Sequence, residues 1–132
     1  MKEINIRTNS HVEMIDITAS VQAAVNEKNL QSGYCIVFTP HTTAAVTINE
    51  NADPDVPRDI IAALEKAVPQ SVNYRHSEGN SPAHVKSSLV GASETVLIEN
   101  GRLVLGTWQS IFFCEFDGPR TRKVVIKIIV ME

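Results

Sequence analysis

The sequence predicts a β-rich α+β fold with two longer helices and one short helix. Apolar and polar residues alternate in short runs such as residues 2–7, which is the period of a half-buried strand. Helical periodicity is confined to about 17–29, about 55–68 and a short segment before Gly91. Asn100-Gly101, between two β-rich runs, is a strong hairpin signal. Because short turns join most of the strands, the pattern argues against an alternating parallel fold.

Each helix is marked by residues at its ends. Asp16 is expected to cap the first helix, over about 17–29, and Asp55 the second. Ser81 is expected to cap the short third helix, which ends near Gly91. Runs rich in β-branched and apolar residues mark the strands. Strands are predicted at residues 2–7, 11–15, 34–38, 43–48, 94–98, 103–105, 108–116 and 123–131.

The last strand is apolar at both parities over residues 124–130, apart from Lys127. A strand of this kind is normally buried on both of its faces. We expect either a second sheet or a neighbouring subunit to cover the face that the helices leave open.

Composition and charge exclude several classes of protein. The 132 residues fit one domain, and the net charge of −3 without a basic run argues against a nucleic-acid partner. No apolar stretch approaches the roughly 20 residues of a membrane span, and the N-terminal residues lack a signal peptide's apolar core. Cys35 and Cys114 each lie in an apolar run, so we expect buried free thiols and a cytoplasmic protein, with a disulfide as the alternative.

Three of the four histidines lie in turns or at a helix start and form the best candidate site. His41 follows a strand-like run, and His76 and His84 frame a polar segment that enters the short helix. Imidazole binds metals and moves protons near neutral pH. Any one of these histidines alone could simply stabilise a turn, but we expect the three to converge on one pocket.

The polar segments around the histidines are less specific. Residues 49–55 are dense in oxygen ligands but lack the glycine and final glutamate of a calcium-binding loop, and one of their aspartates is expected to cap a helix. Arg120 and Arg122 lie in a glycine–proline turn that could hold a phosphate or carboxylate, but a solvated turn is the alternative and is favoured for Arg122. No nucleotide-binding glycine loop or nucleophile elbow is present.

Taken together, three motifs resemble the YjbQ-like family over nearly the whole chain. They are His41–Pro54 (HTTAAVTINENADP), His76–Gly91 with the run AHVKSSLVG, and residues 101–120 with GTWQSI and EFDGPR. Thr43 and Ala45 depart from the pattern, since family members often carry serine there, which weakens any role for a hydroxyl at position 45.

The resemblance implies an α+β fold built on a β-sandwich of antiparallel sheets, assembled as a homotrimer. It also implies a weak or secondary thiamine-phosphate synthase activity, which joins a pyrimidine diphosphate to a thiazole phosphate and releases pyrophosphate. The residues carried over by the resemblance or fitted to this chemistry are His41, His84 and Glu115 as catalytic, His41, His76 and His84 as metal ligands, and Asn51, Asp53, Lys86, Ser87, Gln109 and Arg120 as substrate-binding.

Three hypotheses about function stay open. The first is a transferase or another enzyme of small phosphorylated molecules, in which Asp53 and Glu115 could hold Mg²⁺ at the leaving pyrophosphate. The second is a hydrolase with the three histidines on Zn²⁺ and Glu115 or Glu78 as base, because imidazoles suit a transition metal better than Mg²⁺. The third is a non-catalytic trimer that binds a metabolite or a metal.

Overall fold

The computed structural model describes residues 1–131 and contains eight strands and three helices within that range. In chain order the elements are β1 (Lys2–Arg7), β2 (Glu13–Asp16), α1 (Thr18–Lys28), β3 (Ser32–Phe38), β4 (Ala44–Glu50), α2 (Asp55–Ala67), α3 (Ser81–Val90), β5 (Ser93–Glu99), β6 (Arg102–Leu103), β7 (Gln109–Glu115) and β8 (Thr121–Val130). The predicted mixture of strands and helices is confirmed, and most boundaries agree within two residues of those expected.

The strands form two antiparallel sheets, as the sequence predicted. Five strands pair in the order β1-β8-β3-β5-β6, and three pair in the order β2-β7-β4. Asn100 and Gly101 turn β5 into β6 with positive φ angles of 52° and 73°, the conformation that an Asn-Gly hairpin favours.

The two sheets face each other across the main core, with α1 packed at its side. Val37 of the larger sheet, Phe113 of the smaller sheet and Val21 of α1 are all fully buried in this core. A second apolar cluster lies on the opposite face of the smaller sheet, where Phe112 and Ala83 pack together. Because the smaller sheet is covered on both sides, residues 111–115 of β7 are all buried.

The start of each helix differs slightly from the sequence expectation. The carboxylate of Asp16 accepts a hydrogen bond from Thr18 N at 2.9 Å, so it does serve the start of α1. Asp53, and not Asp55, accepts the N–H at the start of α2, again at 2.9 Å. In α3 the N-cap is Asn80, since Ser81 is already helical. His84 therefore lies one position further into the helix than the sequence suggested.

The doubly apolar strand β8 faces two different environments. Val124 and Ile126 are buried in the core between the sheets. Val125, Lys127 and Ile129 have the opposite parity and lie on the outer face of the larger sheet. The second sheet therefore covers one face of β8, and apolar residues of the other face lie outside the core.

Within residues 1–131, no helix is long and apolar enough to cross a membrane. Cys35 and Cys114 are buried free thiols, as expected, and burial raises the pKa of Cys35 to about 11 and that of Cys114 to about 12.

Candidate functional site

Three regions that contain histidines, together with the turn between β7 and β8 and the start of β8, meet at one end of the sandwich and line a pocket of about 370 Å³. The loop between β3 and β4 supplies His41, the segment that leads into α3 supplies His76, and the first turns of α3 supply His84. The convergence expected of the three histidines is therefore present. The remaining lining residues are Pro40, Thr42, Thr43, Glu78, Asn80, Arg120 and Arg122.

His41 is held by the backbone of the neighbouring strand. Its Nε2 atom lies 3.0 Å from the N–H of Lys123, which donates to it. Pro40 precedes the ring and favours an extended Thr39, which gives the loop a fixed approach to the pocket. Burial lowers the pKa of His41, and the charge of Arg122 lowers it further, so the imidazole is neutral at pH 7.

His76 and His84 contact each other in the lining of the pocket. Their ring centroids lie 5.3 Å apart, and their planes are nearly perpendicular at 86°. Glu78 Oε1 lies 3.9 Å from His76 Nε2, so a carboxylate adjoins the imidazole pair. His76, His84 and Glu78 therefore form one group of two imidazoles and a carboxylate in the lining of the pocket.

A buried ion pair between Glu115 and Arg122 lies beneath the pocket. Glu115 is 0% and Arg122 3% exposed. The guanidinium holds the carboxylate side-on, through Nε at 2.9 Å from Oε1 and through Nη2 to Oε2. Thr8 donates to Oε1 at 2.7 Å, and Nη2 also donates to Thr43 Oγ1 at 2.8 Å. The network joins β7, β8 and the two loops that contain Thr8 and Thr43.

The pKa of Glu115 is set by opposing effects. Burial alone would raise it, but hydrogen bonds from Arg122, from the Asp117 N–H and from Thr8 outweigh burial and hold the pKa below its usual value. All of these bonds turn the carboxylate away from the pocket, whose lining does not include Glu115. The catalytic role expected for Glu115 is therefore not supported by its position, which makes it the partner that orients Arg122.

The rim of the pocket is tied together by Asp117. Its Oδ2 atom accepts from Asn80 Nδ2 at 2.9 Å and from Arg120 Nη2 at 3.1 Å. This links the start of α3 to the turn before β8. Asn80 Oδ1 is the one buried side-chain oxygen or nitrogen of residues 1–131 without a hydrogen-bond partner.

Five of the expected substrate-binding residues do not line this pocket. Asn51 donates to Asp16, Asp53 accepts at the start of α2, and Gln109 accepts from the Gly106 N–H. Lys86 is buried and paired with Glu65, and Ser87 donates to the Ala44 carbonyl, so both hold α3 in place. Arg120 is the one residue of the expected substrate set that the pocket contains.

The donor set does not fit the expected three-histidine metal site. Among residues 1–131, no three His, Cys, Asp or Glu side chains are grouped so that they could hold a metal ion. The Nε2 lone pair of His41 is already used by Lys123 N–H. The expected Mg²⁺ ligands Asp53 and Glu115 are also separated, one at the start of α2 and the other beneath the pocket.

The sequence did not single out Thr43 or Asn80 as site residues, and it favoured a solvated turn for Arg122. A signal for Arg122 did exist. It has the same parity in β8 as Val124 and Ile126, and residues of that parity face the core. No comparable signal marked Thr43 or Asn80, since polar residues in turns are common.

Fold and pocket together define a small α+β protein with an open, histidine-lined pocket. The chain belongs to the YjbQ-like family, since the family model described as UPF0047 protein YjbQ-like matches residues 2–131.

Relatives and solved structures agree over nearly the full length. The chain is 53% identical over 130 residues to the UPF0047 protein YugU of Bacillus subtilis (strain 168), covering 98% of each sequence. It is 52% identical to a UPF0047 protein of Methanocaldococcus jannaschii, covering 94% of this chain and 90% of the other. A crystal structure of a YjbQ/UPF0047 family protein from Clostridium acetobutylicum matches with a TM-score of 0.96 and 55% identity, over 98% of this chain and 100% of the other. A YbjQ-like protein from Sulfolobus solfataricus P2 matches with a TM-score of 0.94 and 32% identity, over 98% and 96%.

Proposed function

We propose that this protein is an enzyme of small phosphorylated molecules, with the pocket of His41, His76 and His84 as its active site. The observation that carries the proposal is the convergence of three imidazoles with two guanidinium groups on one pocket of about 370 Å³. Pockets of this size suit one small metabolite. Among the lining residues, Arg120 and Arg122 are cationic and Glu78 is the single carboxylate, so a phosphorylated ligand is favoured.

Thiamine-phosphate synthesis is the reaction that we propose first. The leaving pyrophosphate develops negative charge, which guanidinium groups and protonated imidazoles neutralise. Arg120 stands at the rim and Arg122 on the floor, while His76 or His84 can donate a proton to the leaving oxygen. The arrangement therefore supports departure of pyrophosphate without assigning any side chain as a covalent nucleophile.

The test is synthesis of thiamine phosphate from the pyrimidine diphosphate and the thiazole phosphate by the wild-type protein and by His84→Ala. We expect the variant to lose at least ~10²-fold in rate, because a positioned acid or base contributes that much. Truncation of a half-buried side chain in the first turns of α3 should cost only about 1 kcal/mol of stability. His11→Ala is the matched control, since His11 contacts the Gly118 carbonyl and does not line the pocket. A large fall in melting temperature with unchanged activity per folded molecule would make His84 structural.

Two measurements distinguish the transferase from the other two candidate functions. Stoichiometric zinc in protein purified without chelator or affinity tag would favour a metal-dependent hydrolase over the transferase. Binding of both precursors without turnover would favour a non-catalytic metabolite-binding protein.

We also propose that the chain assembles as a homotrimer with the pocket near a subunit boundary. On the outer face of the larger sheet, Tyr34 is paired with Leu97 on one side and Ile129 on the other. Phe38, two residues from Ile36 on this face, is 42% exposed, and Leu97 is 60% exposed. Ile36 on the same face is paired with Thr95 and Lys127, so the face is apolar in part. Exposed apolar side chains grouped on one face are typical of an interface between subunits.

A further inference from the structure

The ring nitrogens of His41 have different roles. Nε2 accepts a hydrogen bond from the Lys123 backbone N–H at 3.0 Å, so Nε2 must carry a lone pair. In the neutral ring the proton is then on Nδ1. Nδ1 has no hydrogen-bond partner among residues 1–131 and is not one of their buried unpaired atoms. Its N–H is therefore available to a ligand, and the His41 side chain lines the pocket.

Arg122 presents a second donor from the pocket floor. Its side chain is 2% exposed, and Nε and Nη2 are used by Glu115 and Thr43. Nη1 makes no hydrogen bond to residues 1–131, yet it is not among their buried unpaired atoms. A guanidinium held side-on by a carboxylate cannot rotate, so Nη1 has a fixed direction.

The two side chains that carry these donors line the same pocket. The backbone N–H that holds the His41 ring belongs to Lys123, the residue next to Arg122. Two preorganised N–H groups of this kind, at a water-accessible but rigid floor, match an oxygen that carries negative charge. Glu78 is the one carboxylate of the lining and lies beside His76.

We propose that His41 Nδ1–H and Arg122 Nη1 form an oxyanion subsite that holds a phosphate oxygen of the substrate. This inference rests on the proposed function, because it names how the phosphorylated group is bound. It assigns His41 as a neutral hydrogen-bond donor, in place of the metal ligand or base that the family resemblance implied. His76 and His84 are left as the proton-transferring pair.

The experiment measures binding of inorganic phosphate by calorimetry in phosphate-free buffer, with His41→Ala, His41→Gln and His11→Ala. Loss of one hydrogen bond to a charged group should weaken binding at least about tenfold in His41→Ala. Gln keeps a carbonyl oxygen for Lys123 N–H and an amide N–H for the phosphate, so His41→Gln should bind within about threefold of wild type. His11→Ala should bind as wild type does.

Two results would overturn the proposal. One is wild-type affinity in His41→Ala. The other is equal weakening in His41→Gln and His41→Ala, which would mean that the imidazole lone pair is needed. A third test needs no variant. Long-range ¹H–¹⁵N correlation spectra of the wild-type protein show which ring nitrogen of His41 carries the proton, and a proton on Nε2 would contradict the assignment.

The outcomes separate this inference from the proposed function. If phosphate binding depends on His41 as described but the two precursors are not turned over, the oxyanion subsite is supported and the synthase activity is contradicted. If the precursors are turned over but phosphate binding does not depend on His41, the enzyme activity is supported and the subsite is contradicted.

Discussion

Replacement of Glu115 by glutamine should be among the most destabilising single changes near the site. Glu115 is 0% exposed and is the one carboxylate bonded to the buried guanidinium of Arg122. Glu115→Gln keeps the shape but removes the charge, so Arg122 is left as a buried cation without its counter-ion. Such a loss costs about 3–5 kcal/mol in the free energy of unfolding.

The expected change in melting temperature follows from the chain length. At ~2.1 cal/mol/K per residue, unfolding of a 132-residue domain has an entropy of ~0.28 kcal/mol/K. A loss of ~3–5 kcal/mol therefore lowers the melting temperature by about 11–18 °C. Urea denaturation followed by circular dichroism gives the free energy itself. The matched control is Glu78→Gln, since the Glu78 side chain is 72% exposed and should change stability by less than about 0.5 kcal/mol.

Dependence on pH gives a second readout of the same pair. The folded-state pKa of Glu115 lies below the ordinary value of 4.5, so its ionised form stabilises the fold. That contribution is fully present above the unfolded pKa and is lost as the pH falls through the folded pKa. The stability difference between wild type and Glu115→Gln should therefore shrink below about pH 4. A difference under 1 kcal/mol at pH 7, or one that does not change on acidification, would refute the reasoning.

Two substitutions and one labelling experiment test other parts of the structure. Gly118→Ala should lower stability strongly in a thermal melt, because a Cβ there would lie 2.3 Å from the backbone oxygen of Ser10; an unchanged melting temperature would contradict this. Ile129→Asp should convert a trimer to monomers in sedimentation experiments, because it places a charge on the outer apolar face; a trimer that persists would place the interface elsewhere. Cys35 and Cys114 should react with a thiol reagent at pH 8 only after unfolding, because burial raises both pKa values; fast reaction of the native protein would contradict their burial.

The periodicity of the sequence was enough to predict most of the fold. Alternation marked the strands, and Asn100-Gly101 marked the hairpin, because both signals are local. The apolar residues at both parities of β8 predicted that both of its faces would be covered. The alternation could not say whether the second sheet or a neighbouring subunit covers each face. Ile126 faces the second sheet, whereas Ile129 lies on the outer face.

The site was predictable only in part. The three histidines could be singled out because all three lie in turns or at a helix start among polar residues, and imidazole binds metals and moves protons near neutral pH. Polar residues such as Asn51, Asp53 and Gln109 could not be sorted in the same way, because side chains of these types also satisfy backbone and turn groups. The pairing of Glu115 with Arg122 could not be predicted, because it depends on a contact between β7 and β8 that no local pattern reveals. The sequence therefore predicted a catalytic or metal-binding role for Glu115 instead.

The pocket that the three histidines line is proposed to bind a phosphate group. Titration of the ¹⁵N-histidine-labelled protein with inorganic phosphate, with the ring signals followed by NMR, is the decisive measurement. We expect the signals of His41, His76 and His84 to shift with one common dissociation constant, whereas His11, which lies outside the pocket lining, does not move. Phosphate that leaves the three signals unmoved, or moves each with a different affinity, would contradict the proposal.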